Sequence, residues 1–280
     1  MKVVVIGSGT MGTGIAQALV VSDSVSQLVV IAREQERLDS VMSACSRHIK
    51  RYVKVNSLVT PLECFTDKLK FSTSFQAVED ADIVIEAVAE ITEVKKRIFE
   101  SIRPFVQPST IVASNTSSLS ITEFANLLDC PENLVGMHFF NPAPIMELVE
   151  IVRGLLTSEE TVKAVSEFAE QLGKKPVLVN EAPGFVVNRM LIPMINEAIS
   201  ILAEGVATAE DIDKAMKFGA HHPMGPLALA DLIGNDVNLS IMETLHSETG
   251  DPKYRAHPLL RKMVRANLLG RKTKKGFFEY

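Results

Sequence analysis

The sequence predicts an α/β protein: a doubly wound, mostly parallel sheet followed by a second, smaller, all-helical domain. Three observations carry this expectation. Over roughly the first 180 residues, short β-branched runs alternate with longer helix-like segments, and parallel strands need crossovers that helices usually supply. A glycine-rich loop, Gly7-Ser8-Gly9-Thr10-Met11-Gly12, follows the first run directly and opens a helix. Past Pro183-Gly184 the alternation stops and helical periodicity takes over. At roughly 150 residues per domain, 280 residues suggest two, placed here at 1–182 (dinucleotide-binding) and 183–280 (helical).

Strands are expected at 3–6, 28–31, 83–87, 111–113, 134–140, 146–152 and 177–179, where Val, Ile and Leu cluster. Helix starts carry capping signals. Ser120-Ile121-Thr122-Glu123 opens one helix, and Thr157-Ser158-Glu159-Glu160 opens another that Gly173 closes. The segment 185–203 is apolar almost all round, as in a buried helix, with Gly205 as its stop. Thr208-Ala209-Glu210-Asp211 starts the next, and helices follow at 226–233, 237–245 and 259–268.

Composition narrows the function. A net charge of -5 argues against nucleic-acid binding driven by bulk charge. No apolar run approaches the ~18 residues of a membrane span, and the first run is too short for a signal peptide. The three cysteines, Cys45, Cys64 and Cys130, are widely spaced with no CxxC, so neither a disulfide scaffold nor a zinc module is expected. A reducing, cytoplasmic setting and no metal fit best. From Lys253 to Lys275 there are nine Lys or Arg and no acid, either a solvated face or a phosphate-contacting tail.

The glycine loop has the order a dinucleotide needs. Gly7 permits the tight turn, Gly9 lets backbone approach a pyrophosphate, and Gly12 lets helix and strand pack closely, with the helix N-terminus facing the anion. This is the Rossmann-type arrangement. Its usual acid at the end of the second strand, for the ribose hydroxyls, is replaced by Arg33 after the small Ala32, with Arg37 one helical turn on. A guanidinium there suits a 2′-phosphate and tilts the expected cofactor from NAD towards NADP. Glu34 and Glu36 are the competing candidates for a ribose contact.

Two strands flank the turn Asn141-Pro142-Ala143-Pro144. Paired antiparallel about that turn, they set His138 opposite Val149 or Glu150, and a carboxylate beside a histidine makes a general base with its orienting partner. A glutamate inside an apolar strand is costly unless paired. Ser114-Asn115-Thr116-Ser117-Ser118 follows the strand at 111–113, at the end where ligands bind in such sheets. Asn188 shares a helical face with Ile192, Ile195, Ile199 and Leu202 and needs a partner there; Arg189 could be a structural ion-pair residue. Arg47, Lys50, Arg51 and Lys54 recur at helical spacing.

At these motifs the chain resembles the 3-hydroxyacyl-CoA dehydrogenases, especially the bacterial 3-hydroxybutyryl-CoA dehydrogenases. The likeness spans nearly the whole chain. It rests on 7–16 (GSGTMGTGIA), 114–120 (SNTSSLS), 137–144 (MHFFNPAP), 183–189 (PGFVVNR), 223–226 (PMGP) and 270–277 (GRKTKKGF). The resemblance implies hydride transfer between a nicotinamide cofactor and an acyl-CoA, with His138 as catalytic base and Glu150 its partner. It implies that Ser117 and Asn188 hold the substrate's 3-oxygen and acyl region, with Asn141 in support. It also places Glu90, Lys95 and Asn115 near the nicotinamide ribose, Thr10 and Met11 at the dinucleotide with the loop glycines, and the helical domain at a homodimer contact. The CoA end needs cationic contacts, for which Arg47, Lys50, Arg51 and Lys54 are the candidates, Lys50 and Lys54 first, with a solvated face as the alternative. The related 6-phosphogluconate and 3-hydroxyisobutyrate dehydrogenases differ in using a lysine four residues before the helix asparagine, where this chain has Gly184. A structural, crystallin-like member of the fold would not need the His, Glu, Ser and Asn set.

Overall fold

Runs of β-branched residues buried on both faces make parallel strands, and β1 (Lys2–Ile6) is such a run, lying between β2 (Gln27–Ile31) and β4 (Ile83–Glu86). The computed structural model describes residues 1–280 as two compact units, Met1–Glu181 and Ala182–Tyr280. The first unit holds one eight-stranded sheet in the order β3-β2-β1-β4-β5-β6-β7-β8. The remaining strands are β3 (Leu69–Ser72), β5 (Ile111–Ser114), β6 (Leu134–Phe139), β7 (Leu148–Arg153) and β8 (Lys175–Asn180). Strands β1 to β6 run parallel; β7 is antiparallel to β6, and β8 is parallel to β7.

The crossovers are α1 (Thr10–Val20), α2 (Gln35–Val55), the short α3 (Glu63–Thr66), α4 (Thr92–Ile102), α5 (Ile121–Ala125) and α6 (Glu159–Gln171). Helix α2 buries Leu38, Val41, Cys45 and Ile49, a stripe at three- and four-residue spacing, and leaves its charged faces outside. Ser120 caps α5 and Ser158 caps α6. Thr157, read in the sequence as opening α6, instead donates its hydroxyl to the Leu134 carbonyl and accepts from Gly154 N. Strand β3 has no counterpart among the expected strands. Only Leu69 of its four residues is fully buried, so the hydrophobic signal is weak.

The second unit comprises α7 (Val187–Ala203), α8 (Ala209–Gly219), α9 (Pro226–Ile233), α10 (Asn235–Thr249) and α11 (Pro258–Arg265). Its core gathers Ile192, Ile195 and Ile199 of α7 with Leu227, Met242, Leu245 and Leu260. Helix α7 starts at Val187, two residues later than the sequence suggests, because Gly184 and Phe185 both take left-handed backbone conformations. Buried Asp231 accepts from the amides of Phe277 and Phe278 and from the Tyr280 hydroxyl, docking the last residues. Within the basic stretch, Lys253, Arg261, Lys272 and Lys275 pair with Asp251, Glu243, Asp236 and Glu279.

Candidate active site

One row across the sheet organises the site. Ile31 of β2, Ile6 of β1, Glu86 of β4, Ser114 of β5 and Gly136 of β6 are successive register partners. The glycine loop therefore leaves β1 at the same edge from which the serine-rich loop leaves β5 and at which His138 stands, two residues beyond the row.

The β6–β7 register sets His138 directly opposite Glu150, the second of the two partners the turn allowed. His138 Nδ1 and Glu150 Oε2 lie 2.8 Å apart, and both side chains are buried. The His138 ring also packs against Phe140, with centroids 4.4 Å apart. A buried carboxylate on one ring nitrogen fixes the tautomer and stabilises the imidazolium when the other nitrogen takes a proton.

The serine loop is held by Glu90. Its Oε1 accepts from Thr116 Oγ1 at 2.6 Å, Ser117 N at 2.7 Å, Ser117 Oγ at 3.0 Å and Ser118 N at 3.1 Å. Burial raises the Glu90 carboxyl, but the Lys95 charge and the Thr116 and Ser117 hydrogen bonds outweigh it and hold the group below the ordinary glutamate range. Lys95 is 1% exposed, with its ammonium 2.7 and 2.9 Å from the two Glu86 oxygens and 3.3 Å from Glu90. Lys95 thus links the carboxylate at the end of β4 to the one that holds the serine loop. Glu86 also accepts from Ser114 Oγ and Val88 N, both at 2.7 Å. Sequence reasoning missed Glu86, although a carboxylate inside the apolar run at 83–87 is the same signal that singled out Glu150. Asn115 accepts at Oδ1 from Phe139 N at 2.8 Å, tying the serine loop to the His138 strand.

The glycine loop fits a dinucleotide. A Cβ on Gly7, whose φ is +130°, would overlap the Ala87 carbonyl, and one on Gly12 would overlap the Gly7 carbonyl. Nothing lies within 4 Å of the corresponding point on Gly9, which caps α1 without a side-chain bond, and the first turn, starting at Thr10-Met11, carries no acid. Gly7 N donates to Ile31 O at 2.9 Å, so the end of β2 adjoins the loop. Arg33, two residues beyond that end, is exposed, as are Glu34, Glu36 and Arg37.

A groove of about 440 Å³ runs along α2, lined by Arg47, His48, Arg51 and Tyr52 and faced by Pro142, Pro144 and Ile145. Lys50 and Lys54 do not line it. They are exposed further round the helix, away from the buried stripe, as Arg47 and Arg51 are exposed beside the groove. Asn141 is exposed where the chain leaves β6 for this turn. In the second unit, Asn188 is half-buried on the first turn of α7, and Arg189 Nε donates to the Tyr254 hydroxyl at 3.2 Å rather than to an acid.

Comparison with known proteins agrees along the whole chain. Residues 2–182 match the 3-hydroxyacyl-CoA dehydrogenase NAD binding domain, and 184–280 match the C-terminal domain of the same family. The chain is 48% identical over 281 residues to 3-hydroxybutyryl-CoA dehydrogenase of Clostridioides difficile, covering 100% of this chain and 99% of that protein. It is 38% identical to the human mitochondrial hydroxyacyl-coenzyme A dehydrogenase, covering 99% and 90% of the two. The crystal structure of (S)-3-hydroxybutyryl-CoA dehydrogenase from Ralstonia eutropha superimposes with a TM-score of 0.94 at 45% identity, covering 100% of this chain and 98% of that one.

Proposed function

The chain belongs to the 3-hydroxyacyl-CoA dehydrogenase family, and from that premise we propose which residues carry the reaction and which forms of substrate and cofactor it takes. The enzyme interconverts 3-hydroxyacyl-CoA and 3-ketoacyl-CoA, and the nicotinamide cofactor supplies the hydride transfer. The observation that carries the residue assignment is the buried 2.8 Å contact between His138 Nδ1 and Glu150. With Nδ1–H given to Glu150, Nε2 is the basic nitrogen. In oxidation it takes the proton of the 3-hydroxyl, and in reduction it returns it, with Glu150 balancing the imidazolium charge. Ser117, oriented by Glu90, and Asn188 are the residues for the substrate's 3-oxygen and acyl region, and Asn141 supports the site.

The favoured substrate pair is (S)-3-hydroxybutyryl-CoA and acetoacetyl-CoA, because the bacterial relatives of matching length carry that name. The CoA arm lies along α2, where its phosphates meet Arg47 and Arg51 in the groove and Lys50 and Lys54 further round the same helix. Arg33 favours NADP(H) over NAD(H). It stands where the family's ribose-binding acid is expected, exposed and without an ion pair, and Arg37 follows on the first turn of α2. The protein acts in the cytoplasm as a homodimer built mainly on residues after 183, and its three free thiols suit a reducing compartment. No helix is long and apolar enough to cross a membrane. The test is a spectrophotometric assay of acetoacetyl-CoA reduction with NADH and NADPH in parallel. Oxidation of either cofactor is expected, with NADPH preferred. No turnover with either overturns the activity, and a clear NADH preference overturns the cofactor assignment alone.

A further inference from the structure

Lys174, in the loop between α6 and β8, is nine-tenths buried, yet its ammonium has no carboxylate partner. It donates to the main-chain oxygens of Ala143 at 2.7 Å and Met146 at 2.9 Å. A buried charge is ordinarily paired with its opposite. Here the neighbouring acid, Glu147, is exposed and bound to Lys175 at 2.6 Å. Burial, only partly opposed by the Glu147 charge, pulls Lys174 below the ordinary lysine range.

Bracing the turn that joins β6 to β7 would need two donors but no charge. The surroundings give the charge a purpose. Lys174 lines a cavity of about 560 Å³ together with His48, Tyr52 and Pro144, and those same three residues line the α2 groove. Desolvation first, then the charges of Arg51 and Lys174, lower the His48 imidazole, so both cations act on one spot of the shared wall. Of the residues lining the two spaces, Asp23 is the one acid against Arg47, Arg51 and Lys174. A CoA thioester brings a pyrophosphate and a 3′-phosphate to such a wall.

We propose that Lys174, in the cavity that shares the His48, Tyr52 and Pro144 wall with the α2 groove, is a specificity-determining residue for the substrate: its buried charge, fixed by the Ala143 and Met146 carbonyls, selects thioesters that carry phosphates. Because two carbonyls hold the ammonium already, it needs no reorganisation when the anion arrives. The inference rests on the reading that the α2 groove takes the CoA arm.

Two thioesters and three variants test it. Acetoacetyl-CoA and acetoacetyl-pantetheine share the reacting end, but the second lacks the nucleotide phosphates. Lys174→Gln removes the charge and keeps an amide donor for the carbonyls, Lys174→Met removes both, and Lys174→Arg restores a cation. The ratio of kcat/KM for the CoA thioester to that for the pantetheine thioester should fall on the order of tenfold in the Gln and Met variants and recover in Arg. An equal loss on both thioesters, or no loss, shows a brace only and overturns the proposal. If Lys174→Met does not fold, Lys174→Gln decides. A wild-type enzyme that reduces both thioesters without preferring the CoA form overturns the groove reading itself. That result is distinct from a wild-type preference that survives in Lys174→Gln, which overturns the role of Lys174 alone.

Discussion

On the proposed assignment, His138 and Glu150 work as one unit, so removing either should damage the same step. His138→Gln is expected to lower kcat by about 10²–10⁴-fold, and Glu150→Gln to be severe as well, because the imidazolium loses its counter-charge. Cofactor binding, followed by quenching or enhancement of nicotinamide fluorescence, should survive both changes. Near-wild-type turnover in either variant rules the dyad out. Arg33 makes a different kind of claim. A charge-assisted hydrogen bond to phosphate is worth about 1.5–3 kcal/mol, roughly ten- to a hundredfold in affinity. Arg33→Ala should therefore raise the KM for NADPH by that order and leave NADH nearly unchanged; equal effects on both cofactors exclude a phosphate contact. Glu90 sets an acid limit. Its folded-state pKa is depressed, so its contribution to stability is complete above the ordinary glutamate range and is lost as the pH falls through the lowered value. The fall of Tm with acidification should be shallower in Glu90→Gln than in the wild type, and superimposable curves exclude this role.

At the scale of elements, the Glu86–Lys95 pair joins the end of β4 to α4 inside the core. Lys95→Met leaves a buried carboxylate without its cation and should cost about 3–5 kcal/mol in urea unfolding, whereas Glu86→Met/Lys95→Met should recover much of that loss. If the double variant is no more stable than the single one, the pair is not the source of the cost. The elements also show what a sequence reveals. The β6–β7 hairpin was legible because a turn rich in proline sits between two apolar runs, and period-two alternation then leaves only two candidates opposite His138. Strand β3 was not legible, because an edge strand with one fully buried residue has little hydrophobic pattern to display. The basic face of α2 was half legible. Four cations at helical spacing mark a basic helix, but only packing against the 142–145 turn shows that Arg47 and Arg51 line a groove and that Lys50 and Lys54 face water. Lys174 left no trace in the pattern, since a lysine held by two carbonyls looks in sequence like any surface lysine.

For the molecule as a whole, the change of texture at Pro183-Gly184 marks the passage from sheet to helices, and the structure divides the chain at Glu181 and Ala182. The second unit on its own leaves large apolar side chains in solvent. Met190 is 72% exposed and Phe218 76%, with Val206, Leu232 and Val237 also exposed. A unit of this size rarely keeps so much apolar surface wet, and a two-fold contact would cover it. Sedimentation at micromolar concentration should give twice the mass of the 30.7 kDa chain, and Met190→Glu with Phe218→Glu should shift it towards one chain. A wild-type monomer would rule the dimer out.

Cys45 lies in the buried stripe of α2, and burial pushes its thiol up to about 12, so it is inert while the first unit stays closed. All three cysteines lie in that unit; the second has none, but it holds Tyr254 and Tyr280, two of the three tyrosines in a chain without tryptophan. The chain thus carries a separate native reporter for each half. Cys64 is exposed and should react at once with a thiol reagent, whereas modification of Cys45 clocks the opening of the sheet unit. Tyrosine emission, weighted towards the helical unit, follows the other half in the same sample, so the order in which the two lose structure can be timed without adding a label.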